Sequence, residues 1–467
     1  MNYQREGLLL PERTQTPEDA AIYDRFATVH EGTRETYKQL TLDADRKQAV
    51  LEAWHNGEDA DLSASHIDAE ALAARLDELY AWKAELLADD ELDPVIKQAY
   101  RWRINEDIAN AKLLEASSNG DMEAFHRWNR FIYGEPDEAI YRGALDKVAH
   151  DAEELLAKDD VHPVTAEAAQ KVLAMLEGKR GYRELLAPTE EAFAAVRDDH
   201  SRAGGYYALL LAGVDVPRTG KINRQTGDPI LEHVVKNNLQ SDYELSDAEA
   251  SSWGVTHSTK SVERPTSYNM PWQRFVGLGA GHEIGSHLLE KMNGLRGPVT
   301  LMADGLDRYE SGNEGRAVMR EQIVYETFDE FGKQVRWRDI IRRDIAIGYA
   351  MGVGEDGMKS SSEVYAFVNA IDRMYQTKLT PDDPETTTTK ARAKTDALLA
   401  RVLKGTDGTG GAYLKDKVYL EGHVAGWLTA ASRGAGRISE GDLGKFDINN
   451  PRHVALLQSW GLLPDNE

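Results

Sequence analysis

The chain has 467 residues, 41% of them hydrophobic, with 55 basic against 79 acidic side chains (net charge −24) and no cysteine. That length exceeds one ordinary domain and can bury a sizeable core, as two lobes or one large unit. The acidic balance speaks against nucleic acid or an anionic membrane as the main partner, and the lack of cysteine excludes disulfides, thiol nucleophiles and zinc thiolates.

Residues Pro17 to Leu156 are rich in Ala, Leu, Glu, Lys and Arg. Leu72, Leu76, Leu79, Trp82 and Leu86 step by three or four and predict a helix packed against a core. Ser63 to Ser65, Ser117 to Gly120 and Gly134 to Pro136 read as breaks between helices. Lys158-Asp159-Asp160, ahead of His162-Pro163, divides an N-terminal helical lobe (1–158) from a catalytic part (159–467). Gly205 to Val216, the most apolar stretch, is too short to cross a membrane, and the polar N-terminus lacks a signal-peptide core. The reading is a cytoplasmic protein with no membrane or nucleic-acid partner.

Trp253 to Thr259 and Lys260 to Glu263 are β-prone. They predict a small sheet edge beside the helix that follows, where an extended peptide could add as a strand. That helix spans Trp272 to Met292, with an apolar stripe through Phe275, Val276, Ile284 and Leu288, and Asn293-Gly294 is a stop signal. A second helix starts near Glu314 and runs to about Phe331. Thr380 to Lys390 reads as an exposed loop. Gly405 to Gly411 is a flexible segment, either a plain loop or a hinge for a lid. The fold class is mainly α, in an α+β arrangement with a small sheet next to the active-site helix.

The chemistry concentrates in His282-Glu283-Ile284-Gly285-Ser286-His287 and Asn313-Glu314-Gly315-Arg316-Ala317. Two imidazoles and a carboxylate form a zinc ligand set that leaves one position for water, and Glu283 is free to act as a base on that water. The spacing is unusual. On an α-helix residue i+5 lies about 140° from residue i, so an α-helix turns the two histidines apart. A π-bulge, which Gly285 makes easier, would bring them together. Glu314 is the better third ligand because it opens its helix. Glu321 shares its face and is placed to hold a ligating histidine from behind.

The stretches HEIGSHLLEKMNGL, GLDRY, NEGRA and LKDKVYLEG resemble the family named for its QEGLA motif. This family includes the microtubule-associated tyrosine carboxypeptidases and bacterial proteins labelled flavohemoglobin-expression modulators. Dipeptidyl peptidase III is similar in its HExxxH motif. The match is clearest from Trp272 to Gly422, with a weaker echo from Lys112 to Pro136. The resemblance implies a gluzincin-like zinc metallopeptidase, with His282, His287 and Glu314 as zinc ligands and Glu283 as catalytic base. It also implies a carboxypeptidase that removes a C-terminal residue, tyrosine or another aromatic, from a protein or peptide. Ser286 stands for the usual threonine, Asn313 for glutamate or glutamine and Arg316 for leucine. These departures bear on substrate preference more than on metal binding.

Other roles stay open among several residues. Tyr309, Tyr325, Tyr419 and His423 could assist the oxyanion. A substrate carboxylate needs a cation, for which Arg264, Arg274, Arg296, Arg316, Lys260 and Lys415 are near in sequence. Tyr268, Trp272 and Tyr309 could line a pocket. The remaining histidines read as structural, with His257 the exception because it precedes the zinc helix. Two alternatives stand beside the carboxypeptidase: an endopeptidase or dipeptidyl peptidase, and a non-catalytic helical regulatory protein.

Overall fold

The computed structural model describes residues 7–12, 16–31, 36–64, 66–248, 252–324 and 335–464. It is mainly helical, with two small sheets. Helices Ala69–Ala88, Pro94–Ser118, Met122–Tyr133 and Glu138–Leu156 each begin on an aspartate, respectively Asp68, Asp93, Asp121 and Asp137. Each aspartate carboxylate accepts first-turn N–H groups that lack an intrahelical partner. The expected stripe is the inner face of its helix: Leu76, Leu79, Trp82 and Leu86 are buried, and Leu72 is partly so. Each such side chain contributes roughly 1.5–3 kcal/mol of burial.

The expected lobe boundary at 158 falls in the connection between Glu138–Leu156 and Pro163–Met175. One apolar core draws on both sides of it, from Trp54, Leu145 and Val148 to Val172, Ile345, Val368 and Leu420. Among the described residues no helix is long and apolar enough to cross a membrane.

The sheet beside the motif has three strands: β2 (Glu244–Asp247), β3 (Gly254–Thr256) and β4 (Ser261–Arg264), in the order β2-β4-β3. β3 and β4, the two segments expected to be β-prone, pair antiparallel, and β2 joins β4 in parallel. A separate ribbon pairs β1 (Lys221–Asn223) with β5 (Asn269–Pro271), immediately before the motif helix. β3 and β4 both pack on that helix.

The motif helix is continuous from Trp272 to Arg296, but its middle is not α-helical. Phe275–Leu288 is π-helical, between α-helical Trp272–Arg274 and Leu289–Arg296. The anticipated bulge is thus fourteen residues long. Asn293-Gly294 does not stop the helix. The Asn293 side chain is engaged, accepting from Leu10 N–H and donating to the carbonyls of Leu8 and Asp442. Gly294 is there for close approach, since a Cβ would lie 2.4 Å from the Ala303 nitrogen.

The ligand helix starts at Glu310 rather than Glu314 and is described to Val324. The expected end at Phe331, and Tyr325, lie outside the described residues. This helix packs most closely on Lys417–Arg433. The two cross backbone to backbone. A Cβ on Gly315 would lie 2.2 Å from the Gly422 carbonyl carbon, and one on Gly422 2.0 Å from the Ser311 oxygen. The glycines of NEGRA and LKDKVYLEG therefore meet each other.

One loop expectation is overturned, and another is narrowed from loop or hinge to plain loop. Residues from Pro384 onward form the helix Pro384–Val402. Asp383 caps it, proline at its start costs nothing, and the Thr388 hydroxyl donates back to the Pro384 carbonyl. The glycine-rich segment 405–411 is no hinge. Its backbone is tied to Leu62, Ser361 and Ala350, which fixes it at three points.

Candidate metal centre

The π-helical register decides the site. Its hydrogen bonds run from residue i+5 to residue i, as Leu289 N–H does to the Ile284 carbonyl, so residues five apart lie nearly one above the other. His282 and His287 therefore share a face, with ring centroids 4.9 Å apart and planes at 83°.

Neighbouring side chains hold this register. The Gly281 carbonyl accepts from the Ser286 hydroxyl (3.0 Å) and from the Tyr206 hydroxyl (3.2 Å). Tyr206 reaches it only because residue 285 is glycine: a Cβ there would sit 1.9 Å from the phenol oxygen. From the ligand helix, Arg320 donates to the Gly285 carbonyl (3.1 Å) and to the Ser286 hydroxyl (3.0 Å). Its guanidinium is buried, pairs with Asp442 and lies 3.9 Å from the Tyr206 ring centroid.

Glu314 completes a cluster. Its Oε2 lies 3.6 Å from His282 Nε2 and 3.7 Å from His287 Nε2. The three donor atoms all lie within 4.8 Å of one another. A tetrahedral zinc with nitrogen and oxygen ligands separates its donors by about 3.3 Å, so the set fits that ion with small adjustments. Its chemistry also fits, with two neutral nitrogen donors and one carboxylate. Behind His282, Glu321 Oε1 lies 2.6 Å from Nδ1. A carboxylate beside Nδ1 keeps the ring proton on that nitrogen and leaves the Nε2 lone pair facing Glu314. Glu283 is buried, with Oε1 3.8 Å from His282 Nε2.

The residues flanking Glu314 anchor it. Asn313 and Arg316 both donate to the Glu290 carboxylate, Arg316 at 2.7 Å. Glu290 lies one turn past His287 in the same continuous helix. Its burial pushes the carboxyl up to about 7, against the opposing pull of Arg316. The two departures beside Glu314 thus tie the ligand helix to the motif helix, which corrects the expectation that Arg316 holds a substrate: its guanidinium is spent on a buried carboxylate.

Arg264 is also committed, to Asp228 and Asp247, with Tyr268 donating to the same Asp228. His423 is fully buried between Gln322 (2.9 Å) and Trp427 (2.8 Å), away from any reacting group. Burial drops its imidazole to about 3, so it is neutral. Lys260 pairs with Asp242 and Arg296 bonds the Leu10 carbonyl, while Arg274 is exposed.

Tyr419, Tyr309 and Lys415 are better placed. Half-buried Tyr419 lies close enough to Glu314 for that charge, after burial, to push its hydroxyl upward. Tyr309 and Lys415 line a cleft of about 330 Å³, together with Arg103, His257, Glu310 and Lys445. Glu310 lies one helical turn before Glu314, and Lys415, in the short turn Leu414–Asp416, lies four residues before Tyr419. Trp272 faces a different, more apolar cavity with Tyr207 and Val276.

Four residues that matter here escaped the sequence reading: Arg320, Glu290, Asp442 and Lys445. Only Glu290 carried a signal, as a charge within the apolar face of a helix. Comparison of the chain with protein-family models, curated proteins and solved structures finds no match.

Proposed function

We propose that the chain is a zinc-dependent metallopeptidase acting at the C-terminus of a peptide or protein. The observation that carries this reading is the convergence of His282 Nε2, His287 Nε2 and Glu314 Oε2, with Glu321 behind His282. The motif resemblance points the same way. Zinc held by those three residues would supply a Lewis acid for the scissile carbonyl and lower the pKa of a coordinated water toward neutrality.

The chain's own groups do the rest. Glu283, next to His282, accepts a proton from the attacking water and returns it to the leaving amine. Glu321 keeps the His282 ring in one tautomer and one orientation. Tyr419, protonated at neutral pH, donates a hydrogen bond to the oxyanion of the tetrahedral intermediate. The three-stranded sheet offers an edge along which an extended substrate could lie.

The test pairs elemental analysis of the purified protein with a peptide library of varied C-termini. One zinc per chain is expected, with release of C-terminal residues. Glu283→Gln should lower the rate by about 10²–10⁴-fold with zinc content unchanged. A chain that takes up no zinc after reconstitution would overturn the reading.

A further inference from the structure

A cavity of about 360 Å³ lies against the two helices that carry the cluster, and none of His282, Glu283, His287 and Glu314 lines it. Trp272 and Val276 of the motif helix form one wall, and Ile323 of the ligand helix forms another. Ile323 stands nine residues past Glu314. That is about two and a half turns of an α-helix, so the cavity meets the ligand helix on the face opposite Glu314. These walls are fixed. Val276 and Ile323 are buried, and Tyr207, which also lines the cavity, donates its hydroxyl proton to the Arg320 carbonyl (2.7 Å).

The remaining wall is different in kind. It comes from the irregular segment after Leu211, where Val214 and Val216 add apolar surface and Asp215 and Arg218 add opposite charges. Both charged side chains are exposed, and among the described residues neither has an ion-pair or hydrogen-bond partner. They do not pair with each other. Pro217 between them locks its own φ and biases Val216 to an extended conformation, so the spacing of the two charges is built into the chain.

A preformed apolar cavity with a few polar groups at its edge is the usual shape of a small-molecule site. Here the edge carries one cation and one anion. A purely apolar ligand would leave both unused, and a simple acid would bring its carboxylate up to Asp215. A zwitterion with an apolar side chain satisfies both: a guanidinium binds a carboxylate through two parallel hydrogen bonds, and a carboxylate accepts from an ammonium. We propose that this cavity binds a free amino acid with an apolar side chain. Arg218 takes its carboxylate, Asp215 its ammonium, and Trp272 with Val214 and Val216 its side chain. The site is separate from the metal ligands and does not depend on the metallopeptidase reading, although such an amino acid is what a carboxypeptidase releases.

Calorimetry on the purified protein tests this. The probe is phenylalanine. Phenylalaninamide lacks the carboxylate, N-acetylphenylalanine lacks the ammonium and glycine lacks the side chain. Phenylalanine should bind at least about 10-fold more tightly than each of the three, the range of one charged hydrogen bond or one buried aromatic side chain. Arg218→Met should lower the affinity for phenylalanine to that for the amide, and leave the amide where it was. Asp215→Asn should lower it to that for N-acetylphenylalanine. Both side chains are exposed and bond to nothing else, so neither change removes a contact that the fold uses. Equal affinity for the four ligands overturns the proposal. So does phenylalanine binding that survives both substitutions undiminished, which would place the ligand elsewhere. Cleavage of the peptide library reads the peptidase activity separately, so either conclusion can fail while the other stands.

Discussion

The ligand helix carries two consecutive side chains that each hold a histidine, and they do opposite things. Glu321 faces the His282–His287–Glu314 cluster and places a carboxylate 2.6 Å from His282. Gln322 faces the other way and places an amide 2.9 Å from His423. Both rings are buried. The charged partner increases the electron density available at the opposite nitrogen, which a metal ligand needs. The neutral partner, with Trp427, seals a ring that has no reason to titrate. One oxygen of difference between adjacent residues separates a ring of the candidate metal cluster from one packed in the core.

Four substitutions would break or sharpen that contrast. The largest effect is expected where both sides of the helix depend on one crossing. Gly422→Ala forces the backbones apart at Ser311 and should cost about 3 kcal/mol in denaturant unfolding, since overpacking of a close contact reaches that range. It should weaken zinc binding too, because Glu314 moves with its helix.

Next, Glu321→Gln makes the two sides alike. Zinc affinity should fall about 10–100-fold, measured by chelator competition, with little change in stability. No change in affinity would remove the distinction drawn between the two rings.

The third acts on the sealed side, through pH. An unfolded histidine takes its proton near pH 6.5, whereas burial drops His423 to about 3. Between these values the unfolded chain holds one more proton. The contribution of His423 to stability is therefore complete above pH 6.5 and is lost progressively as pH falls toward 3. By pH 5 the loss is about 2 kcal/mol. In His423→Gln the fall in stability between pH 7 and pH 5 should be smaller by that amount, and an unchanged acid limb would contradict it. The smallest effect is expected of Ser286→Thr. The hydroxyl can keep its bonds to Gly281 and Arg320, so stability and zinc affinity should stay within about 0.5 kcal/mol.

The sequence made this site legible to the extent that its parts are close along the chain. His282, His287, Glu314 and Glu321 span forty residues on two neighbouring helices; spacing put Glu314 and Glu321 on one face, and put the two histidines together only if the helix carried a π-bulge. Proximity along the chain also misled. Arg316 is two residues from Glu314, but two residues turn an α-helix by about 200°, which sends the guanidinium to Glu290 instead of the cleft. The supports that fix the π register were not legible. Arg320 meets Asp442 across 122 positions, and Lys445 meets His257 across 188, with nothing local to announce either pair. Likewise the glycines of 405–411 were read as freedom, when their amides and carbonyls are taken up by distant segments. In the fold as a whole, the helices were legible from capping aspartates and apolar stripes. The parallel strand β2 was not, because four residues of mixed polarity acquire their structure only from β4.

The fourteen-residue π stretch has a consequence for how this protein tolerates insertions and deletions. What brings the histidines together is a count of intervening positions, more than the identity of the residues that fill them. Removing one residue between Glu283 and His287 leaves an i, i+4 pair, which the commoner helix aligns unaided once the stretch relaxes. Adding one leaves an i, i+6 pair, which no helical register aligns. Length change at this point is therefore a one-way street. A library of single-residue insertions and deletions through 284–286 should retain metal-binding members only among the shortened chains.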